Sequence, residues 1–331
     1  MQNTIQYDKP FLNYQSLIEL MASRNIIIDN PDFAQKVLSN FSYYTLVNGY
    51  KNTFPMDPQT ERFLTPIMFD ELYTLHIIDT TLNSILLKNI LVIEHSLKSK
   101  ISYIVAKNYG VYTDVTDLTN SSEDDYLCTK YYSRNNMCNN ILRTIKKSLT
   151  DNTRNDIVRH YESTKNHIPP WILTTNIPLG LSIKWYSILK SQDKEYVCNS
   201  FIDGNFLSVP QKKEFLIQSL KLLKEYRNKI AHGNRTFSNS MNSIIPKTQL
   251  LLLSNNIISE SEYNSGLGQK DLMAIILVIL ILLNDPYMVT NFMNDIVSTF
   301  NPYEKVKFAT KSIFEIFDLP NDFIKRIYNI Q

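Results

Sequence analysis

An arginine and a histidine five residues apart, Arg227 and His232, form the most chemically suggestive pair in the chain. Histidine gives and takes protons near neutral pH, and arginine is a permanent cation whose planar fork suits phosphate oxygens. Asn228 lies four residues before His232, so these two side chains share one face of a helix. Together the three residues have the chemistry of a site that cleaves a phosphodiester.

The helix that would carry these residues is an amphipathic run over residues 211–225 that continues to residue 232, where Gly233 is expected to stop it. His232 would then lie in the last turn, where the helix dipole favours the protonated imidazole and suits it to act as a general acid. Cleavage of RNA by attack of a 2′-hydroxyl needs a general base as well as a general acid. Since one helix supplies one such histidine, we predict a composite site at a two-fold dimer interface.

The same residues also allow an ordinary structural interpretation. Arg227 would form a surface salt bridge with Glu225 or Asp271, and His232 would only cap the helix. The spacing of the arginine and the histidine does not by itself separate this interpretation from the catalytic one.

The composition predicts an all-α globular protein. Of the 331 residues 44% are apolar and 20% are charged, and the 7 glycines allow few of the tight turns that a many-stranded sheet needs. The formal net charge of +2 does not by itself indicate a polyanionic partner. His160 and His167 lack metal-ligand spacing and the chain has no phosphate-binding glycine loop, so no metal or cofactor is expected.

Three features predict a cytoplasmic location. The three cysteines cannot all pair and have no metal-like spacing, which favours a reducing compartment. The first residues lack the basic and apolar regions of a signal peptide. The most apolar segment, residues 272–283, is shorter than the ~20 residues that span a bilayer, so we interpret it as a buried core helix and expect no membrane association.

Apolar periodicity and its breaks divide the chain into three parts. We predict an N-terminal helical unit over residues 1–62, a helical domain over 63–302 and a C-terminal helical tail over 303–331. The domain would contain a polar surface insertion near 111–135 and the longest helical pattern, 67–109, whose continuity the sequence leaves open. The strand-like runs at 26–28 and 250–253 are too short to found a sheet. Further helices are expected over 11–24, from Pro31, over 136–149, 153–163, 179–190 and 270–283, and in the tail around 308–317.

Several short motifs occur in the order found in a known family. They are Lys9-Pro10-Phe11-Leu12, the helix with Leu17 and Leu20, Ile26-Ile27-Ile28, Tyr43-Tyr44 with Asn48-Gly49-Tyr50, Ile93-Glu94-His95-Ser96-Leu97-Lys98-Ser99-Lys100-Ile101, Pro170-Trp171, Leu179-Gly180-Leu181-Ser182, and Arg227-Asn228 with Ala231-His232. In these motifs, over roughly residues 9–235, the chain resembles the bacterial Abi family of abortive-infection proteins, of the AbiD/AbiF-like kind.

This resemblance implies a HEPN-type helical bundle with a small N-terminal helical unit, and a metal-independent ribonuclease that acts as a homodimer. By position, Arg227 would stabilise the phosphate charge, Asn228 would orient the site and His232 would transfer protons. The family role is RNA cleavage that halts growth or blocks phage, under restraint by a small non-coding RNA or an antitoxin protein. Many relatives continue with a second histidine, whereas Gly233 follows His232 here.

The resemblance also places an acid at Glu94, which would hold Arg227 through a charge-assisted hydrogen bond. The alternative is an ordinary exposed helix glutamate. Possible RNA contacts are Lys98, Lys100, Tyr43, Tyr44, Tyr50 and Arg235. Solvated charge for the lysines and core packing for the tyrosines are the competing interpretations.

Two rival functions stay open at this stage. The fold could bind RNA without cutting it, as a sensor or scaffold bound to a small non-coding RNA, since arginine and histidine also suit phosphate binding. It could also be a helical scaffold that contacts only proteins. Neither rival needs the acid/base chemistry of His232.

Overall fold

A computed structural model describes residues 9–150, 152, 154–231, 233, 235–236, 241–255 and 257–329. The described chain is mostly helical, which confirms the predicted all-α class. Its first elements are α1 (Tyr14–Ser23), β1 (Ile26–Ile27), α2 (Pro31–Asn40), β2 (Met56–Asp57), β3 (Arg62–Phe63), β4 (Ile67–Met68) and α3 (Phe69–Tyr109). Then follow α4 (Cys138–Ser148), α5 (Asp156–Thr164), α6 (Pro170–Asn176), α7 (Leu179–Ile188), α8 (Ser191–Asn199) and α9 (Val209–Ala231). The last are α10 (Lys247–Leu253), α11 (Glu260–Asn264), α12 (Leu272–Leu283), α13 (Pro286–Phe300), β5 (Lys307–Phe308), β6 (Lys311–Ser312), α14 (Ile313–Ile316) and α15 (Phe323–Tyr328).

The chain forms two compact units. The first consists of Met1–Asn83, Arg235–Phe237 and Ile296–Ile324, and the second of Ser84–Asn234, Ser238–Asp295 and Lys325–Gln331. The predicted boundaries at residues 62 and 302 do not coincide with this division. Periodicity detects helices but not which of them pack together, and two distant segments join the N-terminal one in the first unit.

In the first unit, local rules explain the start of the chain. Asn30 accepts a hydrogen bond from the Phe33 amide at 3.0 Å, and Pro31 occupies the first turn of α2, as predicted. The isoleucine run at 26–28 does form a short strand, because Ile26 pairs in parallel with Ile67. The tail differs from the predicted single amphipathic helix, since β5 and β6 pair as a hairpin ahead of the short helix α14.

In the second unit, α9 packs against α7, α8, α10 and α12. Eleven of the twelve residues of α12 are buried, so it is the core helix that its composition predicts. Asp271 caps its start by accepting the Ala274 amide at 2.8 Å. The run at 250–253 is part of helix α10 and not a strand, since leucine suits helices as well as it suits apolar strands.

The long pattern at 67–109 forms one continuous helix, α3, of 41 residues. It is the one helix among the described residues whose length and apolar character would allow it to cross a membrane. A core helix of a protein in water meets the same criteria, and 44% of its most apolar stretch is buried inside the protein. This single helix is therefore weak evidence for a membrane span.

The segment 111–135 is only in part the polar surface insertion that its composition predicts, and residues 121–124 are the exposed tract. Tyr126, Leu127 and Tyr132 are buried in its second half. Asp125 forms a fully buried ion pair with Lys146 of α4 at 2.6 Å, and Asp125 also accepts the Leu127 amide at 2.7 Å. A buried pair between residues this far apart in sequence leaves no local signal, so composition alone predicted exposure.

Replacing Lys146 with methionine should lower the free energy of unfolding by about 3–5 kcal/mol, because it leaves the Asp125 carboxylate buried without its partner. Denaturant unfolding monitored by circular dichroism measures this change. The matched control is Lys147→Met on the exposed side of the same helix, which should have little effect. Equal losses for both variants would contradict a structural role for the pair.

Candidate functional site

The apolar face of α9 fixes how this helix is turned about its axis. Leu220, Leu223, Tyr226 and Ile230 recur at spacings of three and four residues, and all are buried. Burial of this face turns the opposite one, which carries Asn228, toward solvent. Asn228 is thus presented at the surface because Tyr226 and Ile230, on either side of it in sequence, are held in the core.

Arg227 lies at the border between these two faces and is partly exposed. Its Nε atom is buried and has no hydrogen-bond partner among the described residues. Its Nη1 atom lies 3.4 Å from the Asn228 side-chain oxygen. A guanidinium carries five N–H donors, so most of those of Arg227 remain available to an anion such as a phosphate.

The structural interpretation of Arg227 as a salt-bridge residue finds no support among the described residues. Glu225 accepts hydrogen bonds from the Asn242 amide at 2.7 Å and the Ser243 hydroxyl at 2.6 Å. Burial alone would raise the pKa of Glu225, but the bonds from Ser243 and Asn242 lower it below its ordinary value. Asp271 caps α12, and neither carboxylate lies within ion-pair distance of Arg227.

The end of α9 follows the prediction as far as it is described. The helix ends at Ala231, and Gly233 has a φ of +77°, in the left-handed region that glycine adopts without strain. The Gly233 amide donates to the Ile230 carbonyl at 3.0 Å. His232 lies outside the described residues, so its role as the acid/base residue stays a prediction.

Lys224 is a residue that motif reasoning missed. It precedes Arg227 by three positions and Asn228 by four, so it lies on the same face of α9. A Cβ atom at Gly180 of α7 would lie 3.4 Å from the Lys224 Cε atom, so the glycine leaves room for this lysine side chain. The spacing of Lys224 from the motif is the signal that would have found it.

Glu94, the predicted support of Arg227, has a different partner. It is buried on α3 and forms an ion pair with Lys98 at 2.7 Å, and no ion pair joins it to Arg227 among the described residues. The exposed-glutamate alternative is also wrong, because Glu94 is buried. Lys98 is therefore neutralised by Glu94, and this charge is not a freely solvated one.

Lys100 lies over the Phe201 ring, with its ammonium 4.5 Å from the ring centroid, and donates to the Ser96 hydroxyl at 2.6 Å. Burial lowers the pKa of Lys100. Its ammonium is thus engaged within the second unit, so Lys100 is a weaker candidate for phosphate contact than a free surface lysine.

Tyr50 and Arg235, both predicted to contact RNA, contact each other in the first unit. Tyr50 is fully buried, and the Arg235 guanidinium lies 4.5 Å from its ring centroid. Arg235 also donates to the Thr45 carbonyl at 2.5 Å. A Cβ atom at Gly49 would lie 1.1 Å from an Arg235 nitrogen, so only glycine admits the guanidinium here. The prediction of base stacking is wrong for Tyr50, and core packing is its role.

Tyr43 and Tyr44 differ in what they present to solvent. The Tyr43 hydroxyl accepts a hydrogen bond from Arg24, and burial raises the pKa of Tyr43. Tyr44 is 73% exposed and has an available aromatic face. Of the three predicted tyrosines, Tyr44 is the one whose ring is open to stacking on a base.

A buried polar network in the first unit holds the segment that follows the motif. The Thr236 amide donates to the Asp79 carboxylate at 2.9 Å. The Tyr50 hydroxyl also lies 3.5 Å from Asp79 and 3.4 Å from His76 Nδ1. Burial raises the pKa of Asp79 and lowers that of His76, which Arg235 lowers further. Sequence reasoning missed this network because its members come from three separate segments.

The stability of the protein should fall as the pH drops from about 7 to 5, in part because of His76. The folded state favours neutral His76, so the unfolded chain takes up this proton more readily below about pH 6.5. Urea unfolding at several pH values measures the free energy of unfolding, which should fall less with decreasing pH for His76→Gln than for the parent. The exposed His160→Gln serves as control and should keep the parental slope. The same slope in all three proteins would contradict the burial of neutral His76.

A protein-family model described as Abi-like protein matches residues 36–238. The matched segment is more than half of the 331 residues and includes all of α9 with Arg227 and Asn228. Comparison with curated proteins and with solved structures gave no match. The match confirms the family predicted from the motifs, and the chain belongs to the Abi-like protein family.

Proposed function

We propose that this protein is a metal-independent endoribonuclease of HEPN type that acts in cytoplasmic phage defence. Membership of the Abi-like family suggests a role in abortive infection. The nuclease proposal rests on one observation. The partly exposed Arg227, near the C-terminal end of α9, has no carboxylate partner among the described residues. A partly buried arginine that no protein anion neutralises is suited to bind an anionic ligand.

In the proposed reaction the 2′-hydroxyl of a ribose attacks the adjacent phosphorus atom. The bond from phosphorus to the 5′-oxygen breaks, leaving a 2′,3′-cyclic phosphate and a 5′-hydroxyl. A base removes the proton of the 2′-hydroxyl, and an acid gives a proton to the leaving 5′-oxygen. Arg227 offsets the negative charge that grows on the phosphate oxygens, Asn228 orients the phosphate, and His232 transfers protons.

Each chain supplies one His232, so the proposal requires two copies of the chain. In a homodimer with two-fold symmetry, one histidine acts as the base and its symmetry mate as the acid. A nuclease of this kind would damage its own host. Its restraint by a small non-coding RNA or an antitoxin protein, as in a toxin–antitoxin pair, is part of the proposal.

Substitution of His232 by alanine should lower the rate of RNA cleavage in EDTA by a factor of about 10²–10⁴, the usual contribution of an acid/base residue. Arg227→Ala should lower it by about 10²–10³, the usual cost of losing one group that stabilises charge in the transition state. The assay compares initial rates on one labelled RNA. Matched controls are His160→Ala on α5 and Arg143→Ala on α4, both exposed and outside the motif. These two variants should cleave at the parental rate.

Cleavage that persists in the His232 and Arg227 variants would reject the assignment of the site. RNA that is bound by the parent protein but never cut would favour the alternative, a non-cleaving sensor or scaffold. Dilution tests the composite site separately, because cleavage per chain should fall once the dimer dissociates. A rate per chain that does not depend on concentration, measured with a chain shown to be monomeric, would reject the dimer.

Lys224→Ala should weaken RNA binding and lower the slope of log K against log salt concentration by about 1, as expected when one phosphate contact is lost. Fluorescence anisotropy at several salt concentrations measures this slope. Lys147→Ala removes an equal charge from the exposed side of α4 and is the control. Identical slopes for the two variants would show that Lys224 does not contact a phosphate.

A further inference from the structure

A pocket of about 500 Å³ lies in the second unit, and neither Arg227 nor Asn228 of α9 is among the described residues that line it. Its walls come from α3, from the start of α5 and from α6. The volume falls within the roughly 300–1,000 Å³ that small-molecule sites occupy. The lining includes His95, Lys98, Ser99, Asn155, Ile157 and Trp171.

Trp171 gives this pocket an exposed aromatic surface. The chain has two tryptophans; Trp185 is fully buried, whereas Trp171 is 48% exposed. No aromatic pair among the described residues includes Trp171. The ring follows Pro169 and Pro170 at the first turn of α6, where the fixed backbone angles of proline limit its movement. An indole ring has only two rotatable side-chain bonds, so an exposed tryptophan on a helix can stack on a planar ligand with little loss of conformational entropy.

The polar groups of the pocket are close to neutral as a set. Lys98 is the cation, but Glu94 pairs with it at 2.7 Å and offsets its charge. The ammonium has three N–H donors, so this pair does not use all of them. His95 and Ser99 are exposed on α3, and each can donate and accept a hydrogen bond. The side-chain amide of Asn155 donates one N–H to the Thr175 hydroxyl at 3.0 Å and accepts the Val158 amide at 2.9 Å, so its second N–H is left as a further donor.

We propose that this pocket binds one unpaired base of a single-stranded RNA. An aromatic face beside neutral donors and acceptors matches the way proteins read an unstacked base, which is stacked on one side and hydrogen-bonded along its edge. A phosphate would instead require an unpaired cation, and Glu94 removes the one that Lys98 offers. The choice of RNA over other planar ligands rests on the proposed function, but the pocket itself lies outside the cleavage motif.

The test uses the parent protein and a short single-stranded RNA with 2′-O-methyl groups, which cannot undergo 2′-hydroxyl attack. Binding and cleavage are thereby separated. Because Trp185 is buried, quenching of tryptophan emission by acrylamide reports mainly on Trp171. The RNA should quench the emission of Trp171 and shield it from acrylamide.

Trp171→Ala, which removes the stacking ring, and His95→Ala, which removes a hydrogen-bonding group for the edge of the base, should each weaken binding roughly tenfold. Trp171→Phe should abolish the fluorescence change but retain most of the affinity, because phenylalanine still stacks. The salt slope should not change in these variants, which distinguishes this pocket from a phosphate contact. Matched controls are the exposed Tyr287→Ala and His160→Ala, outside the pocket, and both should bind as the parent does.

Parental affinity in Trp171→Ala and His95→Ala, together with unchanged Trp171 emission on adding RNA, would overturn the proposal. That result would instead favour a protein partner as the ligand of the exposed Ile157 and Trp171 side chains. The failure of the proposed function has a different signature. If no RNA is ever cut but Trp171 still reports binding, the base pocket stands and the nuclease does not.

Discussion

The burial of one face of α9 is the constraint on which the candidate site depends. Tyr226 and Ile230 pack in the core, and the helical repeat then fixes where the side chains between them point. Arg227 is held partly inside, with its Nε atom buried, while Asn228 remains in solvent. A rotation of α9 that exposed Arg227 fully would also expose Tyr226, at a cost set by its buried area. Core packing thus fixes the positions of Arg227 and Asn228, as catalysis would need.

Buried charged side chains fix the position of other parts of the fold. Asp125 and Lys146 form a fully buried pair, and Asp79 accepts the Thr236 amide in the first unit. Such groups contribute little net stability, because removing charges from water costs nearly as much as their pairing returns. They do penalise alternative arrangements, in which a charge would be left without its partner. This explains why segments with polar sequences, such as that around Asp125, take up defined positions.

Much of the helical architecture could be predicted from local signals. The cap at Asn30, the glycine stop at Gly233 and the apolar run of α12 all act within a few residues, so the sequence displays them directly. The family resemblance rested on motifs of the same local kind. What was missed depends on distant partners. Core packing was one of the two interpretations of Tyr50, and only its burial and the Arg235 guanidinium on its ring decide for it, while nothing near Glu94 in sequence indicates that this glutamate is buried.

The residues of the candidate sites also fall into those that local sequence signals reveal and those that depend on distant partners. Arg227 and Asn228 were found from their spacing, and the same spacing would have found Lys224, whereas the pocket at Trp171 becomes apparent only once three helices are assembled. A site built on one helix is visible in sequence, because its members recur at helical spacing. A site built between helices is not.

The central claim is that an RNA phosphodiester is cut by its own 2′-hydroxyl. The most direct measurement uses a DNA strand that contains a single ribonucleotide, incubated with the parent protein in EDTA, with the product ends determined by mass spectrometry. We expect one cut, on the 3′ side of the ribonucleotide, with a 2′,3′-cyclic phosphate and a 5′-hydroxyl. A cut elsewhere in the strand, or a 5′-phosphate at the new end, would contradict it.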